Sequence, residues 1–332
     1  MQDSMRFARA VVPASTANLG PGFDSLGMAL PLFEGISMRA ADQTRIQLYG
    51  GNLNGVAQDK SNLIYQTAQA VFDKAGVSLP ELEIAIESDI PLASGLGSSA
   101  AAIIGALLAA NELIGAPLSL DELFQMAAAM ERHPDNVGTA LFGGFVAAAW
   151  DGERAAAVRL TPPTALEVLA AIPALEQAAD KTKKARGALP RQVPMTDAVF
   201  NVSHSSLLTA ALASGELAVL RHALRDRLHQ PYRLGMVPGM AEVLQGAQDY
   251  GALGAVLSGA GPTLLLFVDR REAQRKRLED FVKKTMAPAK VDVSLQWMTP
   301  CSQGGSVVVR EAAGMLEAPL TAVRREQSEV GV

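Results

Sequence analysis

Pro91-Leu92-Ala93-Ser94-Gly95-Leu96-Gly97-Ser98-Ser99-Ala100-Ala101 is the stretch from which the rest of the chain is read. Before it, Glu81-Leu82-Glu83-Ile84-Ala85-Ile86-Glu87 alternates polar with apolar or small residues, which predicts a half-buried strand. After it, residues 98–114 are mostly Ala, Leu and Ile, which predicts a closely packed helix, buried on most sides, that Gly115 and Pro117 end. A strand, a glycine loop and a helix in this order make a phosphate cradle. The glycines let backbone approach a ligand, and the serines offer hydroxyls to phosphate or metal. The helix start adds unpaired N–H groups and a positive dipole end. The chain has no Gly-Lys dipeptide, so this is not a Walker A loop. Ala100 stands where a dinucleotide fingerprint needs its third glycine, and no G-x-S-x-G elbow occurs. What remains is a serine-rich phosphate loop without a lysine, or a Gly-Ser turn before a core helix.

The whole chain sets bounds. Its 332 residues suffice for one large domain or two medium ones with a sizeable core. A net charge of -5 without an extended basic patch argues against nucleic acid as a partner. Cys301 is the only cysteine, which excludes an internal disulfide and a thiolate metal cluster. His133, His204, His222 and His229 show no metal-ligand spacing. Asp3, Arg6 and Arg9 break up any signal-peptide core, and the longest apolar run is too short to cross a bilayer. The expectation is a cytoplasmic protein with no membrane partner.

Further strands are predicted over 6–12, 35–39, 44–49, 144–149, 166–171, 255–257, 264–268, 291–297 and 307–310. Helices are predicted over 63–74, 198–213, 217–227, 240–250 and 271–284, and another starts at the Ser119-Leu120-Asp121-Glu122 capping box. Without a regular strand–helix–strand repeat, α+β is the expected class. A change of texture over 150–163 marks a domain boundary near residue 160. The second domain is drawn over 161–312, and 313–332 as a flexible tail.

Other polar clusters stand out. Residues 12–27 read as a strand leaving the core into a loop with Gly20, Gly22 and Gly27, which can present the Asn18 amide and the Asp24 carboxylate to a small polar ligand. A surface turn is the plain alternative. Glu131-Arg132-His133-Pro134-Asp135-Asn136-Val137 gathers oxygen groups suited to Mg²⁺, or else caps a helix with a Pro-Asp turn. Arg186, in Lys181-Thr182-Lys183-Lys184-Ala185-Arg186, and Arg233, in Gln230-Pro231-Tyr232-Arg233, are forked cations suited to a carboxylate. By itself the first of these runs reads as a solvated basic face. Leu257-Ser258-Gly259-Ala260-Gly261-Pro262-Thr263 lies between two apolar strands as a closing loop or a hairpin turn. Asn62 opens a helix.

From Ile90 to Ala101 the chain resembles the ATP-binding signature of the GHMP kinases at every position, and the other clusters follow in that family's order between about residues 11 and 268. Residues 12–27 are similar to the homoserine kinase branch. They lack the charged residue and the Gly-Glu-His that mevalonate and galactose kinases carry there. One departure is Arg132, where that branch has glycine. The resemblance implies a two-lobed α+β fold, with a ribosomal-S5-domain-2-like first lobe and a ferredoxin-like second. It implies ATP and Mg²⁺ as cofactors, L-homoserine as substrate, a place in threonine biosynthesis and a possible homodimer. It implies that Asn62 and residues 91–101 bind ATP, and that Ser99 and Glu131 hold the metal, with Ser98 as the alternative serine. It places Asn18, Asp24, His133, Asp135, Arg186, Arg233 and Gly259 on the amino acid, with Asp135, Asn136 and Thr182 at the reacting groups. Another GHMP kinase, acting on a mevalonate-type or sugar alcohol, is the alternative. An inactive binding module is a third reading, against which Ser98, Ser99 and Glu131 stand intact.

Overall fold

The computed structural model describes residues 5–175 and 181–312. In chain order the elements run β1 (Met5–Ala17), β2 (Leu26–Ala40), β3 (Arg45–Tyr49), α1 (Leu63–Ala75), β4 (Leu82–Ser88), α2 (Ser98–Leu113), α3 (Leu120–Glu131), α4 (Pro134–Phe142), β5 (Phe145–Trp150) and β6 (Ala155–Leu160). Then come β7 (Leu166–Pro173), α5 (Lys181–Gly187), α6 (Met195–Ser214), α7 (Leu220–Ala223), α8 (Gln230–Arg233), α9 (Met240–Gly246), β8 (Gly254–Leu257), β9 (Leu264–Asp269), α10 (Arg275–Met286), β10 (Val293–Met298) and β11 (Ser306–Ala312). The tail expected over 313–332 lies outside the described residues.

Two sheets organise these elements, and the class is α+β. The first has the order β11-β1-β2-β4-β3, with β5 paired to β2 and β6 to β5, and only β3 and β4 run parallel. The second is the antiparallel set β10-β7-β9-β8. The strand that follows it in sequence, β11, leaves it and returns to the edge of β1. In α2, Ala100, Ala101 and the residues from Ile103 to Asn111 are all buried, so the helix has no wet face. It packs on β1 and β2 with α1, α3 and α4 around it, which explains why its composition is apolar throughout rather than striped. Leu169, Leu257, Leu266 and Val282 belong to a second apolar cluster behind the other sheet.

The predicted strands and most helices are present, with three differences. Residues 134–142 form a helix rather than a Pro-Asp turn, because Pro134 occupies the first helical position, where its missing N–H costs nothing. The alanine-rich segment 155–160, which in the sequence shows only a change of texture, is strand β6. The helix predicted over 217–227 stops at Ala223. Beyond it, Asp226 accepts the backbone N–H groups of Leu228, His229 and Gln230, which turns the chain away from its axis.

Candidate active site

Five loops or helix ends converge on one cavity of about 400 Å³: residues 18–25 after β1, residues 91–97 after β4, the α3–α4 junction, the α5–α8 region and residues 258–263 after β8.

The glycine loop forms one wall. Gly97 caps α2 with φ 72° and Gly95 has φ 87°, so both sit in the left-handed region. The loop is clamped from behind. Ser15 N–H donates to the Leu96 carbonyl at 3.1 Å, Ser258 Oγ–H to Gly95 at 2.7 Å, and Thr263 N–H to Ser94 at 3.1 Å. With its carbonyls held by the body of the protein, the loop leaves the first-turn amides of α2 for an anion. Ala93, Gly95, Gly97, Ser98, Ser99 and Ala100 line the cavity. Ser94 and Leu96 are buried, and Ser94 Oγ bonds the loop to itself through Pro91 and Leu96.

At the helix mouth Ser99 Oγ–H donates to Glu131 Oε1 at 2.6 Å. His133 bridges two carboxylates: its Nε2 lies 3.4 Å from Glu131 and its Nδ1 3.2 Å from Asp135. Burial opposes the charged imidazolium, but these carboxylates outweigh it, so the His133 pKa is raised. Asp135 is almost wholly buried, and its Oδ1 also accepts the Asn136 N–H at 2.8 Å. Asn136 Oδ1 accepts from Ser15 Oγ at 2.8 Å, joining this corner to the glycine loop.

The opposite wall is cationic and aromatic. Arg186 and Asp24 form a two-pronged pair at 2.9 and 3.0 Å. Arg233 is buried, donating from Nε to Ala185 at 3.2 Å and from Nη1 to Gly259 at 3.1 Å. Phe23 stacks on His229, with the Arg186 and Arg233 Cζ atoms 5.7 and 5.5 Å from its ring. Asn18 ties loops together rather than standing free. Its Oδ1 accepts the Asp24 N–H and its Nδ2–H donates to Gly259.

Comparison with known proteins decides what this cavity belongs to. The GHMP kinases N terminal domain matches residues 62–144, and GHMP kinases C terminal matches residues 208–287. A homoserine kinase of Moorella thermoacetica is 41% identical over 297 residues, covering 90% of this chain and 98% of that protein. One from Deinococcus radiodurans is 46% identical over 259 residues, covering 78% and 83%. The chain belongs to the GHMP kinase family. A crystal structure of homoserine kinase from Cytophaga hutchinsonii superposes with TM-score 0.80 at 27% identity, over 91% of this chain and 97% of that one. L. major mevalonate kinase shares the fold, with TM-score 0.61 at 17% identity, over 90% and 95% of the two chains.

This GHMP kinase is therefore a phosphotransferase with an alcohol acceptor, and ATP is its co-substrate. Among the described residues no helix is long and apolar enough to cross a membrane. Of the residues picked out in the sequence, the cavity gathers Asn18, Asp24, six of the glycine-loop positions, Glu131, His133, Asp135, Asn136, Arg186, Arg233 and Gly259. It does not gather Asn62, which is buried and spends its side chain on Ile64 N–H and the Ala57 carbonyl as the cap of α1. Pro91, Leu92, Ser94, Leu96 and Ala101 are also outside its lining. The Thr182 side chain lies outside the described residues. Arg132, where the resemblance expects glycine, takes the left-handed conformation itself, with φ 61°. Sequence reasoning misses Ser15, Phe23, Lys183 and His229 as parts of the site. Ser15 and Phe23 lie inside the 12–27 cluster without standing out in it, Lys183 is visible only as one of a run of cations, and His229 carries no local signal.

Proposed function

We propose that this kinase transfers the γ-phosphoryl group of ATP to the side-chain hydroxyl of L-homoserine, giving O-phospho-L-homoserine and ADP, in the cytoplasm and in the service of threonine biosynthesis. The observation that carries the reading is the Asp24–Arg186 pair beside Arg233, across from the phosphate loop. A free amino acid is a zwitterion. Its ammonium can take Asp24 while its carboxylate takes Arg186 and the Nη2 edge of Arg233, so one ion pair is exchanged for complementary ones at no net charge cost. A sugar alcohol offers neither charge, and mevalonate offers no cation to Asp24. The homoserine kinase names of the relatives at 41% and 46% identity point the same way.

In this reading the first-turn amides of α2 and the Gly95–Gly97 backbone receive the triphosphate. Ser99 and Glu131 present two oxygens 2.6 Å apart at the mouth of the helix, a hard donor set that fits Mg²⁺. These two residues would hold the ion, which when bound neutralises charge on the phosphate oxygens. The chain's own residues position the acceptor. Asp135 and Asn136 orient the hydroxyl, and Lys183 and Arg186 add positive charge. Phosphoryl transfer through a loose transition state asks for this alignment and charge rather than for an ionised hydroxyl, so Asp135 acts by orientation. Asp135→Asn should therefore weaken acceptor binding together with turnover, and intact affinity with abolished turnover would make Asp135 a base.

ADP release in the presence of magnesium and ATP tests the assignment. L-homoserine should exceed galactose, which offers neither charge, by about a hundredfold in kcat/KM and mevalonate, which lacks the ammonium, by about tenfold, since each unpaired charge in the site costs roughly a factor of ten. L-threonine carries both charges and tests instead whether the hydroxyl must stand on the end of the side chain. Removing the amino group (4-hydroxybutyrate) or the carboxylate (3-aminopropan-1-ol) should each lower kcat/KM by about tenfold. Preference for any other acceptor would overturn homoserine and leave the kinase.

A further inference from the structure

His229 belongs to no expected functional set, yet it is completely buried behind the acceptor wall. Both ring nitrogens are committed. Nε2 lies 2.8 Å from the Gly20 carbonyl oxygen, which can only accept, so Nε2 carries the proton. Nδ1 lies 3.1 Å from Arg233 Nη1, which can only donate, so Nδ1 is the acceptor. The ring is held flat by Phe23 at a centroid distance of 5.2 Å. One neutral tautomer satisfies this geometry. Its two bonds run to the two halves of the acceptor wall: Gly20 in the loop that carries Asn18 and Asp24, and Arg233 in α8.

We propose that His229 is a positioning residue for acceptor recognition: its uncharged Nδ1 aims the Arg233 guanidinium, while its Nε2–H pins the loop that presents Asp24. The inference rests on the acceptor-site reading above. A proton on Nδ1 would set an N–H against the Arg233 N–H and push the arginine off its seat. The charged groups facing the ring are Asp226, whose Oδ2 is 3.6 Å from Nε2, then Arg233, with Asp24 and Arg186 beyond Phe23. Burial pushes the His229 pKa below its ordinary value, Asp226 pulls it up and Arg233 pushes it down again, and the balance is a lowered pKa. The imidazole is therefore neutral around pH 7 and charges only on acidification, with loss of the aimed arginine. Acceptor binding should weaken at acid pH while ATP binding does not follow it.

Two amides separate the two bonds. Asn at 229 can place an oxygen near the Nδ1 position, and Gln can reach the Nε2 position instead. His229→Gln should raise the KM for L-homoserine about tenfold or more with the KM for ATP within about twofold, the usual effect of losing a bond to a charged group. His229→Asn keeps the acceptor for the charged Arg233 and loses only the bond to the neutral Gly20 carbonyl, so the acceptor KM should stay within about threefold of the parent and lose its rise at acid pH. Equal effects of Asn and Gln, or parallel rises in both KM values, would mean a packing role and overturn the proposal. Histidine-selective ¹⁵N NMR of the unmodified protein decides the tautomer with no substrate present. An Nε2–H imidazole at neutral pH is expected, and an Nδ1–H form or an imidazolium would overturn it. If the parent fails to phosphorylate homoserine, the acceptor reading falls, and the tautomer still tests whether His229 aims Arg233.

Discussion

The two walls of the cavity are built by different means. The wall proposed to take phosphate is backbone from one continuous stretch, 93–100, whose cavity-lining side chains are small and whose carbonyls are tied back by Ser15, Ser258 and Thr263. The wall proposed to take the acceptor is side chain: Asp24, Asp135, Arg186 and Arg233 come from four separate segments and line one side of the cavity. A backbone cradle recognises a phosphate whatever carries it, and tolerates change except where a Cβ would intrude. A wall of discrete charges recognises one arrangement of partner charges and is vulnerable at every member. The comparison predicts different failures on the two sides.

The largest expected effect is on the backbone wall. A Cβ added at Gly95 would meet the Ser258 carbonyl oxygen at 2.5 Å and that of Gly261 at 2.7 Å, and the residue is left-handed as well. Backbone cannot swing aside as a side chain tip can. Gly95→Ala should therefore displace the loop and lower kcat/KM for ATP by about a hundredfold or more, as misplacement of a positioning element by about an ångström does. Steady-state kinetics, with calorimetry of nucleotide binding, measures it. Activity within tenfold of the parent would mean that the cradle is not the phosphate wall.

On the charged wall a single neutral substitution should separate the two substrates. Asp24→Asn keeps the shape and the backbone N–H that Asn18 accepts, but it removes the partner of Arg186 and of an incoming ammonium. The KM for the amino acid should rise by about ten- to a hundredfold with the KM for ATP nearly unchanged. Parallel loss of both would show that the walls are one mechanical unit. It would make the division between them a description of residues rather than of energetics.

The same contrast explains how much of the site is legible in the sequence. The phosphate wall is contiguous, so its strand, glycines and helix start all fall in one window. Glu131, His133, Asp135 and Asn136 stand out as a dense polar cluster. The helix that begins at Pro134 does not, because a Pro-Asp pair also opens turns. Arg186 looks like one cation in a solvated run, since its partner is 162 residues away. The Val307–Arg310 stretch reads as strand, but nothing local shows that it returns to the edge of β1. His229 is the least legible. A histidine acquires its role here from a carbonyl at residue 20 and a guanidinium one helical turn ahead, and neither bond leaves a spacing rule in the sequence.

The smallest expected effect falls at the seam between the two proposed walls, where Glu131 accepts from Ser99 on the glycine-loop side and His133 and Asp135 pair with each other. Arg132 joins them as the residue that ends α3, with φ 61° and ψ 15°, its N–H donating to Ala128 at 2.7 Å. This conformation carries a Cβ penalty of roughly 1 kcal/mol that glycine does not have. The Arg132 side chain is exposed and makes no ion pair among the described residues, so nothing is gained in exchange. Glycine is also freer in the unfolded chain, which returns part of the benefit. Arg132→Gly should therefore stabilise the protein by about 0.5 kcal/mol and raise Tm by a degree or two, with both KM values unchanged. A fall in Tm would show that the arginine side chain itself contributes to stability, and a change in the acceptor KM alone that it serves the acceptor wall. A change in the ATP KM alone would assign it to the other wall. An unchanged enzyme with a higher Tm would mean that the seam needs only the left-handed turn, and that the two walls meet there through backbone.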